Sequence, residues 1–363
     1  MGFNCGIIGL PNVGKSTIFN AMTAAGAQAS NYPFCTIDPN VGMVPVRDER
    51  LKKLADLARP EKVVPTAVEF VDIAGIVKGA SKGEGLGNQF LGHIRSVDTI
   101  AHVVRCFADS QIIHVEGKVD PKSDIEIIET ELILADLESI AKRREKAERL
   151  AKSGDKAAIE AMPLYNAVNA CLEAGRPARS VITKENADAV KEMNLLTAKP
   201  VIYVANVSED DLDGSSDAAR AVREIAGKEG AAFAPICGKI ESEIAEIPDE
   251  ERSGFLKDLG LKESGLDRLA AAAYKLLGLI TFFTVGKKEV RAWTIAGGSR
   301  APEAAGAIHS DFEHGFIRAE VMGYDDFVKC GSEAACRDKG LLRVEGKDYL
   351  VRDGDIMHFR FAV

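Results

Sequence analysis

The chain of 363 residues contains no apolar run of membrane-spanning length, no C-x-x-C pair, no internal repeat and no low-complexity tract. The first absence argues against a helical membrane protein. Met1 to Leu10 lacks a basic segment followed by an apolar one, so it is expected to be a first strand and not a signal peptide. Gly2 is followed at position 6 by Gly6 in place of Ser or Thr, which fails the myristoylation pattern. The seven cysteines, at 5, 35, 106, 171, 237, 330 and 336, are scattered and odd in number. That spacing argues against a disulfide framework or structural zinc and predicts a reducing, cytoplasmic location. There is no basic excess either: 46 Lys and Arg face 55 Asp and Glu, a net charge of −9 that disfavours general adhesion to nucleic acid while leaving room for a local basic face.

What is present is the composition of an ordinary soluble globular protein, long enough for two or three domains and a large core. Its most informative segment is Gly9-Leu-Pro-Asn-Val-Gly-Lys-Ser16, which fits G-x-x-x-x-G-K-[ST]. Phe3 to Ile8 reads as a buried strand before it, and Thr17-Ile-Phe-Asn-Ala-Met opens a helix after it. Strand, glycine turn and helix N-terminus aim backbone N–H groups and the helix dipole at an anion. Lys15 supplies a point charge for the β- and γ-phosphates, and Ser16 offers a hydroxyl to Mg²⁺.

Further along, Val68-Glu-Phe-Val-Asp-Ile-Ala-Gly75 is a strand ending in Asp-x-x-Gly. Asp72 is placed to hold the Mg²⁺ shell, and the Gly75 N–H to bind a γ-phosphate. Thr36, in Asn31-Tyr-Pro-Phe-Cys-Thr36, is the candidate switch threonine that joins Mg²⁺ only in the triphosphate state. The run Ile76-Val-Lys-Gly-Ala-Ser-Lys-Gly-Glu-Gly-Leu-Gly-Asn88 has the glycine content of a segment that orders and disorders. Ras-like enzymes carry a water-orienting glutamine where this chain has Ile76, so hydrolysis should be slow or use another group. His114, in a loop after the apolar strand Ile100–Phe107, is the candidate to position water, although a lone histidine is more often structural. His102, inside that strand, reads as a core or edge residue.

Base choice falls to Asn206-Val-Ser-Glu209. GTPases carry Asn-Lys-x-Asp here, with the aspartate accepting from guanine N1 and N2. Val207 and Glu209 replace the lysine and aspartate, and the longer glutamate would crowd or miss the guanine edge. Adenine lacks the N2 donor and offers N6–H₂, which suits Asn206 and backbone carbonyls, so ATP is expected over GTP. Pro235-Ile-Cys-Gly-Lys239 stands where a last base-contacting loop belongs.

Strand candidates Phe3–Ile8, Ala67–Val71, Ile100–Phe107, Pro200–Val204 and Ala231–Ile236 alternate with helical stretches, which implies a mainly parallel sheet covered on both faces. From about Ile125 to Arg179 the pattern becomes two long charged helices joined at Ser153-Gly-Asp. Leu132, Leu137, Ile140 and Leu150 form a narrow stripe on the first, and Leu164, Val168 and Leu172 on the second. This predicts an antiparallel coiled-coil hairpin, read as an arm more than a packed surface pair. Its basic Lys142-Arg-Arg-Glu-Lys146 could face phosphate, though such runs are usually solvated. After Leu277, short strands are predicted at Thr281–Val285, Glu289–Ile295, Phe316–Val321, Tyr349–Val351 and Ile356–Phe361, a small α+β domain.

Taken together, the phosphate loop with Thr17, Asn31–Thr36, Asp72–Asn88, Asn206–Glu209, Thr281-Phe-Phe-Thr-Val-Gly286 and Arg291-Ala-Trp-Thr-Ile295 resemble the Obg-like ATPase family, in its YchF group. The resemblance implies an α/β P-loop NTPase of the Obg-type G domain (1–128 and 198–277), an inserted coiled-coil arm (129–197) and a C-terminal β-grasp TGS domain (278–363). It implies slow ATP hydrolysis, with GTP also accepted in some accounts, and association with the ribosome. It further implies that Asn12, Val13, Gly14, Lys15, Ser16 and Thr17 contact phosphates, while Ser16 and Thr36 ligate Mg²⁺. The leading expectation is therefore an ATPase switch acting on a ribosomal, large-subunit or RNA partner. A GTPase switch and a binding module with incidental turnover are the alternatives, and a small-molecule kinase fits least.

Overall fold

The computed structural model describes residues 3–28, 40–73, 86–109, 114 and 117–362. Thr36, Gly75 and Ile76 lie outside them. Two six-stranded sheets organise the described residues. The first comprises β1 (Asn4–Ile8), β2 (Val41–Pro45), β4 (Ala67–Asp72), β5 (Thr99–Arg105), β6 (Val201–Asn206) and β7 (Ala232–Ile236), in the order β2-β4-β1-β5-β6-β7. All its pairings are parallel except that of β2 with β4. The strands are short apolar runs: every side chain of β5 and β6 is buried, as expected for strands covered on both faces. Around this sheet lie α1 (Lys15–Gln28), α3 (Leu86–Ser96), α7 (Asp217–Glu229), α8 (Gly238–Glu246), α9 (Asp249–Asp258) and α10 (Gly265–Leu276), with α2 (Glu49–Ala58) elsewhere. After β1 the chain goes first to one side of that strand (β4) and then to the other (β5). The carboxyl end of β1 is thus the point where strand order reverses, and there an open α/β sheet offers a crevice to ligands.

The insertion is built from α4 (Pro121–Lys152) and α5 (Lys156–Glu173), closed by a short α6 (Ala187–Glu192). At 1.5 Å per residue α4 is about 48 Å long, but it is not an arm throughout. Ile125, Ile128 and Leu132 enter the core of the first sheet, so Leu132 belongs to the body and not to the hairpin seam. The seam itself joins Ile133, Leu137 and Ile140 to Leu164, Val168 and Leu172. Leu150 is 43% exposed, so the stripe does not reach the tip as a buried seam. Asp136 fastens the root, accepting from the Leu196 N–H, the Thr197 N–H and the Thr197 hydroxyl at 2.8, 2.8 and 2.7 Å where the chain returns to β6. Arg179 adds ion pairs to Glu129 of α4 and, at 2.7 Å, to Glu229 of α7. Burial and the Arg179 charge push His102 down to about 3, which makes it the uncharged core histidine that its strand position predicts.

The second sheet runs β11-β10-β12-β8-β9-β3, with β3 (Lys62–Val64), β8 (Leu279–Val285), β9 (Glu289–Ala296), β10 (Phe316–Gly323), β11 (Arg343–Glu345) and β12 (Asp355–Phe361). A β8–β9 hairpin, a crossover and a central β12 parallel to β8 give the β-grasp arrangement. Its helices are α11 (Ala301–Ile308), α12 (Ser310–His314), α13 (Tyr324–Cys330) and α14 (Glu333–Asp338). The expected strand at Tyr349–Val351 is only a single bridge between Arg300 and Leu350. Strands β2, β3 and β11 are short and were not legible. The segment Glu49–Val64, sequentially within the nucleotide unit, joins the β-grasp instead: Leu51 and Leu54 pack with Phe283, Val290 and Ile356, and β3 pairs with β9.

Helix α10 links the two sheets. Glu241 of α8 accepts from the Gly265 and Leu266 N–H groups at 2.6 and 3.3 Å, satisfying the amino end of α10. At its other end the Tyr274 hydroxyl donates to the Ile280 carbonyl at 2.9 Å. Burial raises Glu241 from an ordinary 4.5 to about 7, opposed by the two N–H donors and Arg268 and reinforced by Asp267. A folded pKa above the unfolded one means the folded chain holds the proton more tightly, so this group's stabilising contribution is present at low pH and is lost as pH rises from about 4.5 through about 7. Urea unfolding of the wild type should show that decline, of order 3 kcal/mol at most, and Glu241→Gln should flatten it.

Candidate nucleotide site

The phosphate loop leaves β1 and enters α1 beside β5 and β6, and its glycines are dictated by that crowding. A side chain at Gly9 would stand 2.7 Å from the Val103 carbonyl oxygen of β5, and one at Gly14 only 2.0 Å from the Asn206 amide nitrogen. Gly14 also has φ +91°, and Asn12 φ +62°, positive angles that turn the loop around a concave backbone. The resulting cavity, about 810 Å³, falls in the range of small-molecule sites. Asn12, Gly14, Lys15, Ser16 and Thr17 line it, together with Asn206, Val207 and Glu209 from the end of β6.

The predicted residues divide by what they touch. The Val13 side chain is buried away from the cavity, and its carbonyl accepts from the Asn206 amide at 2.8 Å. The Asn206 oxygen in turn accepts from the Gly238 N–H at 3.1 Å. Asn206, itself buried, therefore ties the phosphate loop to the loop after β7. The same amide lines the cavity where the base contact is expected. The Lys15 amine sits 2.5 Å from the Asp72 carboxylate, which brings the charge for phosphate and the expected Mg²⁺-shell acid together. Glu209 is paired with Lys239 at 2.5 Å across the other end of the cavity. His114 is not among the cavity residues. It is buried with its Nε2 3.0 Å from the Asp124 carboxylate of α4, so the loop position that suggested water contact instead points the ring at the root of the insertion.

One wall was not legible in the sequence. Phe107, Ala108 and Asp109 line the cavity after β5. They are shaped by Arg105, a fully buried guanidinium that donates to the Phe107 and Asp109 carbonyls at 3.1 and 3.2 Å and lies 4.6 Å from the Phe107 ring centroid. A charged residue ending an apolar strand is the only trace of this in the sequence, because its partners are backbone atoms. Among the described residues no cluster of three or more His, Cys, Asp or Glu could hold a metal ion. Oxygen donors suited to a hard divalent cation are nonetheless present, the exposed Ser16 hydroxyl on the cavity and Asp72 against Lys15.

This fold and loop define a P-loop nucleotide-binding protein of the G-domain type. Residues 4–135 match a family described as "50S ribosome-binding GTPase", and residues 279–362 one described as "Protein of unknown function (DUF933)", the C-terminal region of YchF GTPases. A Bacillus subtilis protein named "Ribosome-binding ATPase YchF" is 57% identical over the full length of both chains, and a Haemophilus influenzae protein of the same name 56% identical, again over both full lengths. The solved structure of the Schizosaccharomyces pombe YchF GTPase is 39% identical and superposes with a TM-score of 0.89, covering 99% of this chain and 98% of that one. The chain belongs to the YchF family.

Truncating Asn206 should loosen both loops at once. Asn206→Ala leaves the Val13 carbonyl and the Gly238 N–H without their partner, at a cost of about 2–4 kcal/mol. Thermal unfolding should show the loss, and isothermal titration should show nucleotide affinity falling at least about tenfold. Unchanged affinity would show that the clamp does not set the cavity.

Proposed function

We propose that the chain is a slow nucleoside-triphosphate hydrolase that works as a cytoplasmic molecular switch, prefers ATP to GTP, and acts on the ribosome through its large subunit or ribosomal RNA. The observation that carries the base preference is the Glu209–Lys239 pair. Guanine needs a carboxylate aimed at both its N1–H and N2–H₂, and the glutamate that stands there is one methylene longer than an aspartate and is turned to Lys239. Adenine makes no such demand, and its N6–H₂ can use backbone carbonyls. The names of the relatives, ATPase in one and GTPase in another, support nucleotide hydrolysis by either base. Their ribosome-binding name, and the family description of residues 4–135, support the ribosomal partner. No helix among the described residues is long and apolar enough to cross a membrane.

In the reaction, backbone N–H groups of residues 12–17 and the amino end of α1 hold the phosphates. Lys15 exchanges the Asp72 carboxylate for the β- and γ-phosphate oxygens and stabilises the charge that develops as water attacks the γ-phosphorus. Ser16, Asp72 and Thr36 would hold Mg²⁺, which supplies charge neutralisation at the phosphate oxygens. Gly75 offers its N–H to the γ-phosphate. Ile76 has no group to orient water, which makes the intrinsic rate low, and loss of the γ-phosphate contacts at Thr36 and Gly75 is the switching event. The arm and the β-grasp domain would carry that state to the partner.

Titration of the apo protein with both nucleotides should give tighter binding for ATP, and co-sedimentation with ribosomes should depend on which nucleotide is present. Lys15→Ala should lose at least about a hundredfold in single-turnover hydrolysis, and stronger GTP binding would overturn the reading of Glu209. His114→Ala should mainly destabilise, by about 1–3 kcal/mol, because Asp124 loses a buried partner. A drop of about a hundredfold in its single-turnover rate at equal stability would instead make His114 a water-positioning residue.

A further inference from the structure

The second sheet leaves part of one strand edge uncovered among the described residues. Strand β12 lies between β10 and β8, yet it pairs with β8 at one position only, Ile356 beside Phe283. Counted from that pair, β8 ends at Val285 level with His358, while β12 continues to Phe361. On its other side β12 stays paired with β10 to the end, Ala319 beside Phe359 and Phe316 beside Phe361, and the Ala362 N–H donates to the Gly315 carbonyl at 2.9 Å. Backbone groups alternate in direction along a strand. With Ala362 turned to β10, Phe361 and Phe359 turn their N–H and C=O groups the other way, past the end of β8.

A groove of about 820 Å³ opens at this place. It is lined by Phe359 and Phe361 from one face of β12 and by Ile356 and His358 from the other, so it passes the strand's edge. Trp293 and Phe312 stand on the first side and Phe327 on the second. Lys287 and Lys288, in the hairpin between β8 and β9, form one end. Both are exposed, and neither has an ion-pair partner among the described residues, whereas Glu289 and Glu333 of the same groove are matched by Arg291 and Arg337 at 4.0 and 3.0 Å. The groove shares no lining residue with the nucleotide cavity.

We propose that this groove receives an extended segment of a partner protein, which adds to β12 as a short strand. The backbone groups of Phe359 and Phe361 supply its hydrogen bonds. Its larger apolar side chains fall on Trp293 and Phe312, and the alternate ones on the side of Phe327 and His358. Lys287 and Lys288 select acidic residues where the segment meets the hairpin. Single-stranded RNA fits less well, because bases need free ring faces to stack on. Trp293 already stacks on Phe282 and lies 4.0 Å from the Arg291 guanidinium, and Phe312 and Phe361 stack on each other at 3.8 Å.

The probe is the acetylated and amidated peptide Asp-Asp-Val-Thr-Phe-Thr-Val-Asp-Asp, acidic at both ends so that either strand direction is served, titrated into the full-length protein. Trp293 is the chain's single tryptophan, and its emission should change saturably below about 1 mM peptide. Amide hydrogen exchange at Phe359 and Phe361 should slow at least about tenfold. N-methylation of the peptide's apolar and threonine amides should abolish binding. Lys287→Glu combined with Lys288→Glu should weaken it at least about tenfold while hydrolysis stays at the wild-type rate. No saturable change, equal binding by the N-methylated peptide, or exchange at Phe359 and Phe361 left as it was overturns the proposal. Oligouridylate that binds and displaces the peptide overturns it too, and makes the groove an RNA surface.

Discussion

The carboxamide of Asn206 joins two loops that the sequence keeps far apart, the phosphate loop 193 residues upstream and the loop after β7. Its nitrogen donates to one and its oxygen accepts from the other, a division of labour that no carboxylate or hydroxyl could perform in the same geometry. Gly14 has no side chain because that amide occupies the space, and its positive φ turns the loop toward α1. The shape of the nucleotide site thus depends on one buried amide that bonds both loops. Lys15, Ser16 and Thr17 can face the cavity because Val13 is held from behind.

From that clamp the contacts run outward in sequence and space. Gly238 begins α8, Glu241 of α8 holds the amino end of α10, and Tyr274 near the end of α10 bonds the first residues of the β-grasp sheet. Arg47 meets Asp267 at 2.9 Å, and Arg50 meets Asp353 at 2.7 Å, so the segment after β2 reaches both α10 and the second sheet. The nucleotide cavity and the β-grasp are therefore linked in series, through α8 at the cavity and α10 at the second sheet, and a change at the loop after β7 has a packed route to the second domain. The insertion is attached differently, through Asp136 and the Arg179 ion pairs at its root. His114 belongs to that root, since its partner Asp124 lies in the first turn of α4.

Much of the fold was legible because strong local signals coincide with it. The parallel strands of the first sheet are apolar runs, and the phosphate loop follows one of them with a recognisable spacing of glycines, lysine and serine. The short strands β2, β3 and β11 escaped notice because three to five residues carry no periodicity of their own and depend on their neighbours for pairing. Leu132 and Ile133 are adjacent in sequence yet enter different cores, a distinction that a helical stripe cannot make. The wall at Phe107–Asp109 stayed hidden because Arg105 acts through backbone carbonyls, which every sequence possesses equally.

By itself, the sequence determined the phosphate-binding chemistry, the parallel strands of the first sheet, and the two changes of character that mark the insertion and the C-terminal unit. These are local properties: loop glycines, apolar period and charge density. Only the tertiary structure decided which groups Asn206, Glu209 and His114 meet, since each has a partner between 10 and 193 residues away. It also decided that Glu49–Val64 leaves its sequence neighbours for the β-grasp, because Leu51 and Leu54 find their apolar partners there and β3 completes an open strand edge. Hydrogen-bond capacity and apolar area are written in the chain, but which groups satisfy one another is settled only when the backbone brings them together.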